Sequence, residues 1–133
     1  MRYLLDTNIC IYLARRGPPQ VLSRLEHLQP GDVGMSVVTY LELVYGAHKS
    51  QRVEANLRVI DQLRRLIPVL PLEASAGPHF GRIRSVLERR GKPIGAYDLL
   101  IAAQALALGL VLVTNNPREF ARVEGLPIEN WTQ

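Results

Sequence analysis

Apolar residues along this chain fall into two kinds of stretch, short unbroken runs and longer segments with a helical repeat. Their alternation predicts the elements. Arg2 to Leu5 reads as a short buried strand, and Ile9 to Arg15 as a helix stopped by Gly17-Pro18-Pro19. A helix follows from Gln20 to Leu28, ending before Pro30-Gly31. Val33 to Val37 is a second strand, and Val38 to Ala47 a helix with apolar residues on most faces. From Gln51 to Leu66 the apolar positions Leu57, Ile60, Leu63 and Ile67 make one buried stripe. Ile67 to Leu72, broken by Pro68 and Pro71, is an edge strand at best, because proline cannot donate to a sheet ladder. Glu73 to Arg90 is helical with Phe80, Ile83 and Leu87 inward and Gly91 at its end. Ala96 to Leu108 is apolar nearly all round and predicts a buried helix. Gly109 ends it, Leu110 to Val113 is a buried strand, and Leu126 to Glu129 is a last short one.

Helices alternating with short, wholly apolar strands predict an α/β fold, a mainly parallel sheet covered on both faces. In such folds a ligand sits outside the carboxyl ends of the strands. The polar residues that follow the first strand, Asp6 and Asn8, and those that follow the late one, Thr114, Asn115, Asn116 and Glu119, therefore belong to one rim. The buried helix that begins near Asp98 leads into that late strand, which brings its start towards the same rim.

Length and composition narrow the class. The 133 residues, 47% hydrophobic and 21% charged, predict a single domain over residues 1–133 with its own core. The one cysteine, Cys10, excludes an internal disulfide and sits in Ile9-Cys10-Ile11 as a buried thiol, in keeping with a reducing, cytoplasmic setting. Asp6 interrupts the N-terminal apolar run, so no secretory signal is read, and nothing reaches the length of a membrane span. Net charge is +4, with 16 basic residues of which only Lys49 and Lys92 are lysine. Arginine's planar fork suits phosphate, which is compatible with a nucleic-acid partner, although the cluster Arg82, Arg84, Arg89, Arg90 and Lys92 is equally a solvated helix face.

The candidate chemistry rests on carboxylates that stand alone in apolar surroundings: Asp6, Glu42 and Asp98, with Asn116 and Glu119 behind a fourth apolar run. An ionised carboxylate left without a partner there costs several kcal/mol, so each is either capped or functional. Each has a local alternative. Asp6 and Asn8 are N-cap types for the helix near Ile9, and Thr39 and Glu42 have the spacing of a capping box. Asp98 lies in a first helical turn, where the dipole favours it, and Thr114 to Pro117 suits a turn into a short helix. Taken together, they suggest a shared cation. The scattered His27, His48 and His79 do not favour zinc.

Leu5-Asp6-Thr7-Asn8, Glu42-Leu43, Tyr97-Asp98 continuing to Ile101-Ala102, and Val113-Thr114-Asn115-Asn116 before Glu119-Phe120 resemble the motif set of PIN-domain ribonucleases. Leu5 to Tyr12, Glu42 to Ser50, Gly91 to Ala103 and Val113 to Trp131 are similar to the VapC toxins of type II VapBC toxin–antitoxin systems, and in particular to the branch that cuts initiator tRNA. The resemblance implies a PIN-like three-layer α/β/α sandwich and an endoribonuclease dependent on Mg²⁺ or Mn²⁺, inhibiting translation by hydrolysis in the anticodon stem-loop of that tRNA. It implies Asp6, Glu42 and Asp98 as the catalytic acids, and metal contacts from Asp6, Asp98, Glu42, Asn116 and Glu119. Many PIN domains carry an acid where this chain has Asn116. Thr7, Asn8, Thr114 and Asn115 are expected to orient carboxylates and phosphate. Expected partners are the RNA, a second copy of the chain, a cognate VapB antitoxin whose C-terminal segment covers the site, and operator DNA through that complex.

Two other classes fit the α/β pattern less well. A haloacid-dehalogenase-like phosphatase has a second aspartate where this chain has Asn8, and dinucleotide binding lacks its glycine-rich turn after a strand. A PIN-like RNA-binding subunit with weak or no catalysis is the remaining alternative.

Overall fold

Tyr3-Leu4-Leu5 is buried throughout and forms β1 (Tyr3–Leu5), the middle strand of a five-stranded sheet. The computed structural model describes residues 1–133. After β1 come α1 (Thr7–Ala14), α2 (Pro19–Glu26), β2 (Val33–Ser36), α3 (Val37–Lys49), α4 (Val53–Leu66), β3 (Val69–Leu70), α5 (Ala76–Arg89), α6 (Ala96–Leu108), β4 (Val111–Val113), α7 (Pro117–Phe120) and β5 (Ile128–Glu129). The strand order is β3-β2-β1-β4-β5, and every pair is parallel.

Alternation along the strands divides the core in two. Tyr3, Leu5, Val33, Met35 and Val113 face one side and pack with residues of α1 to α4 and with Trp131. Leu4 and Leu112 face the other side, under α5, α6 and α7. The sheet is thus covered by helices on both faces, the three-layer sandwich expected from the sequence. Gly34 lies opposite Leu4 in the β1–β2 register, and a Cβ on it would come within 3.2 Å of the Leu70 side chain. The missing side chain lets Leu70 lie close against the sheet.

Helix α6 is buried on most of its circumference, including Ile101, Ala102, Ala103 and Ala105, and ends at Gly109 with φ +67°, a left-handed conformation that glycine adopts without strain. Gln104, 2% exposed, spends its amide N–H groups on the Leu70 and Pro71 carbonyls at 3.2 and 3.0 Å. This ties the edge strand β3 to the central helix. No helix is long and apolar enough to cross a membrane.

Element boundaries depart from the sequence reading where side-chain chemistry or proline intervenes. Helix α1 begins at Thr7 because Asp6 caps it, two residues ahead of the expected start. Strand β3 shrinks to two residues between Pro68 and Pro71. Helix α5 begins at Ala76 because Glu73 and Ala74 close turns instead, their carbonyls accepting from the Ala76 and Gly77 amides.

The order of strands fixes where a ligand belongs. From β1 the chain builds β2 and β3 to one side, then returns to place β4 and β5 on the other. A crevice therefore opens at the carboxyl ends of β1 and β4.

Candidate active site

Asp6 is the first residue after β1, held in line by its own amide donating to the Val113 carbonyl of β4 at 2.9 Å. Its Oδ1 accepts the Ile9 amide at 2.9 Å, which caps α1. The capping role suggested by the sequence is real, and it coexists with a place in the cleft, because a cap occupies one carboxylate oxygen and leaves the other. Burial pushes this carboxyl up from 3.8 to about 6, against the pull of the Thr114 hydroxyl and the Ile9 amide, with Glu42 and Glu119 adding to the rise. The Thr114 hydroxyl accepts the Asn116 amide at 2.9 Å, so its single proton is free for Asp6.

Glu42 does not close a capping box. The N-cap of α3 is Ser36, whose Oγ accepts the Val38 amide at 3.0 Å, so Thr39 and Glu42 lie inside the helix. Ser36 displaces Thr39 because the strand ends there and the chain turns at once into α3. Glu42 Oε1 instead accepts the Thr7 hydroxyl at 2.7 Å, and Thr7 Oγ1 lies 3.0 Å from Thr39 Oγ1.

Asp98 is the third residue of α6, in a first turn whose cap, Gly95, has no side chain to offer. Burial, then the charge and hydrogen bonding of Glu119, then Asp6 and Glu42 push its carboxyl up from 3.8 to about 7. Glu119 sits on α7, which Pro117 opens, and Asn116 Nδ2 donates to its Oε2 at 2.6 Å.

These elements enclose a cleft of about 290 Å³ lined by Asp6, Thr7, Asn8, Glu42, Asp98 and Asn116, with Ile11 and Phe120 as its apolar wall. Five expected residues thus meet Asp6 around one space. Glu119 adds its charge from behind Asn116. Thr114 lies fully buried beneath Asp6. Asn115 departs from expectation: its amide donates to the Tyr12 hydroxyl and not to any carboxylate. The α5 arginines also stay out of the cleft, with Arg84 paired to Glu88 at 3.2 Å and Arg82 beside His79. Thr39 is the residue whose place the sequence does not show. Its spacing from Glu42 was visible, and only the packing of α1 on α3 shows that it faces Thr7.

The donor set suits a hard divalent cation. The charges of Glu42 and Glu119 add to the upward push on Asp6 and Asp98, and the protein's two ion pairs, Arg24 with Glu129 and Arg84 with Glu88, leave all four carboxylates without a cationic partner. No three of them stand close enough to enclose a bare ion. An acidic mouth of this kind fits an ion that keeps several of its waters and takes one or two carboxylates directly.

The chain is similar to known proteins along its whole length. The PIN domain family model matches residues 3–126. The tRNA(fMet)-specific endonuclease VapC of Shigella flexneri is 46% identical over 132 residues, covering 99% of each chain. The structure of VapBC-1 from nontypeable Haemophilus influenzae superposes with a TM-score of 0.92 at 41% identity over 100% of both chains, and that of DNA-bound VapBC from Salmonella typhimurium with a TM-score of 0.93 at 41% identity over 98% of both.

Proposed function

Because this chain belongs to the PIN-domain family and is similar along its whole length to VapC ribonucleases, we propose that it is the toxin of a toxin–antitoxin pair, an endoribonuclease that hydrolyses initiator tRNA in the anticodon stem-loop and so stops translation. The observation that carries this reading is the convergence of Asp6, Glu42 and Asp98, from three separated segments, on one cleft at the strand-end crevice. A folded RNA loop with splayed bases is the form of RNA that proteins read by sequence and shape.

Asp6 and Asp98 would hold the cation, Mg²⁺ or Mn²⁺, and Glu42 would serve as a further ligand or orient water beside it. When bound, the cation acidifies a water for attack and offsets charge on the phosphate. Asp6 is aimed by its Ile9 cap and by Thr114, and Glu42 by Thr7. Asn116 fixes Glu119 through Nδ2, and its Oδ1, which accepts no protein hydrogen bond, is a neutral oxygen donor at the position where many relatives of the fold carry an acid.

The antitoxin's C-terminal segment has a track to the cleft. A groove of about 270 Å³ between α1, α3 and α4, lined by Ile11, Ala14, Leu43, Ala47 and Ile60, shares Ile11 and Glu42 with the cleft and has Arg15 on its wall. An amphipathic segment laid in it arrives at the carboxylates. Operator DNA is reached through that complex. A second copy would cover another surface: Leu41, Tyr45 and Tyr97 are 61%, 66% and 60% exposed and rim an apolar groove with Val38 and Leu100 that reaches Glu42 at the edge of the cleft. The buried thiol of Cys10, pushed up by its burial, agrees with a reducing cytoplasm.

The test incubates the purified protein with total tRNA and Mn²⁺ or Mg²⁺, with EDTA and Asp6→Asn controls. A single internal cut in initiator tRNA, lost in both controls, is the expected result. Cutting that survives EDTA, or full activity in Asp6→Asn, overturns the reading.

A further inference from the structure

Thr39 is completely shielded from solvent, yet its hydroxyl is not spent on its own helix: its one partner is Thr7 Oγ1, at 3.0 Å, on the facing helix α1. The direction of this contact follows from proton counting. A hydroxyl has one proton to give. Thr7 gives its proton to Glu42 Oε1 at 2.7 Å, so the proton between the two threonines comes from Thr39. The result is a one-way chain, Thr39 to Thr7 to Glu42, ending on a carboxylate of the cleft.

We propose that Thr39 is a positioning residue of the active site: by donating to Thr7 it commits the Thr7 proton to Glu42 Oε1, and so fixes one orientation of the Glu42 carboxylate. The inference rests on the reading of Glu42 as a group that serves the cation. Three features make the chain suited to this task. Hydrogen bonds in series polarise one another, so Thr7 binds Glu42 more strongly with Thr39 behind it than without. Thr39 lies one turn before Glu42 on α3, so both ends of the chain move with one helix. Thr7 follows Asp6 directly, so the chain also sets Glu42 in register with the carboxylate at the end of β1. The chain engages Oε1 and leaves Oε2 for the cleft.

Loss of a group that orients a metal-binding side chain commonly costs about 10–100-fold in affinity or activity. Thr39→Val keeps the side-chain volume and removes only the hydroxyl. Its expected effect is a drop in kcat of about tenfold with KM nearly unchanged, and a similar loss of affinity for Mn²⁺ measured by calorimetry on the protein alone. Thr39→Ser, which keeps the hydroxyl, recovers both quantities. Because Thr39 acts only through Thr7, the Thr7→Val/Thr39→Val double variant matches Thr7→Val alone. The proposal is overturned if Thr39→Val folds with native circular dichroism and binds Mn²⁺ and cuts tRNA like the parent. It is equally overturned if Thr39→Ser is no better than Thr39→Val, which makes the role one of packing, or if the two losses add in the double variant. A parent protein that neither binds Mn²⁺ nor cuts RNA refutes the reading of the cleft itself, and that result is separate from the comparison of variants.

Discussion

Removing the Asp6 charge should destroy cleavage and at the same time stabilise the metal-free protein. Asp6 is 4% exposed, and its folded carboxyl titrates at about 6 where an unstrained one titrates at 3.8. At ~1.4 kcal/mol for each pH unit, the ionised form costs the fold about 3 kcal/mol, an upper figure for a group this buried. The sign follows from proton uptake. Between the two pKa values the folded chain holds more protons than the unfolded one, so the stability due to protonated Asp6 is complete below about pH 4 and is lost as pH rises through about 6. Asn at the same position still caps α1, since it ranks with Asp at N-caps, and carries no charge to desolvate. Asp6→Asn should therefore gain on the order of 2–3 kcal/mol over the parent near pH 8 in EDTA. For a domain of this size that is roughly 8–12 °C in Tm. Near pH 4 the gain should vanish. Differential scanning fluorimetry across pH, in EDTA and then with Mn²⁺, measures all of this. In excess Mn²⁺ the parent should recover most of the difference, because a ligand that binds only the folded state stabilises it. A variant no more stable than the parent at high pH, or one equally favoured at both ends of the range, refutes the account of Asp6 as a desolvated, unpaired charge.

Four further outcomes follow from the same geometry. Mn²⁺ affinity should rise with pH through the range of about 6 to 7 in which Asp6 and Asp98 shed their protons, and calorimetry showing a flat profile contradicts their role as ligands. Asn116→Asp adds a further carboxylate to the cleft and should tighten Mn²⁺ binding without abolishing cleavage; unchanged affinity removes Asn116 from the cation's surroundings. The parent should run as a dimer in light scattering and Leu41→Glu with Tyr45→Glu, which places charge on the exposed apolar groove, as a monomer; a dimeric variant moves the interface elsewhere. Gln104→Leu strips the donors from the Leu70 and Pro71 carbonyls and should cost about 1–3 kcal/mol, with faster amide exchange along β3 as the local sign.

The sequence carried the architecture through its uninterrupted apolar runs. Val111 to Val113 has no polar residue and Ala96 to Leu108 only Asp98 and Gln104 among its apolar ones, so the burial of both elements follows largely from composition. Ends of elements were harder. The start of α1 depends on which of two cap-forming residues, Asp6 or Asn8, wins the free amides, and Asp6 wins because the β4 pairing already holds its backbone extended. Glu42 shows why local spacing misleads. Thr39 and Glu42 satisfy the capping-box pattern, but a capping box needs its threonine at the helix start, and the strand–helix junction at Ser36 takes that position. What Thr39 does instead is set by a contact with Thr7 across 32 positions of sequence, which no local pattern encodes. The same holds for Asn115 and Tyr12, 103 positions apart. The set of residues around the cleft was legible because strand ends in a parallel sheet share a rim. Their individual partners were not, because helix packing decides them.

The end chemistry of the cut RNA reports which nucleophile attacks the phosphate. If an external water attacks, with Asp6, Glu42 and Asp98 as the groups that position it, the 3′-oxygen leaves. Mapping the two fragments of purified initiator tRNA should therefore find a 5′-phosphate on one and a free 3′-hydroxyl on the other. A 2′,3′-cyclic phosphate with a 5′-hydroxyl would show attack by the RNA's own 2′-oxygen, and would contradict the account.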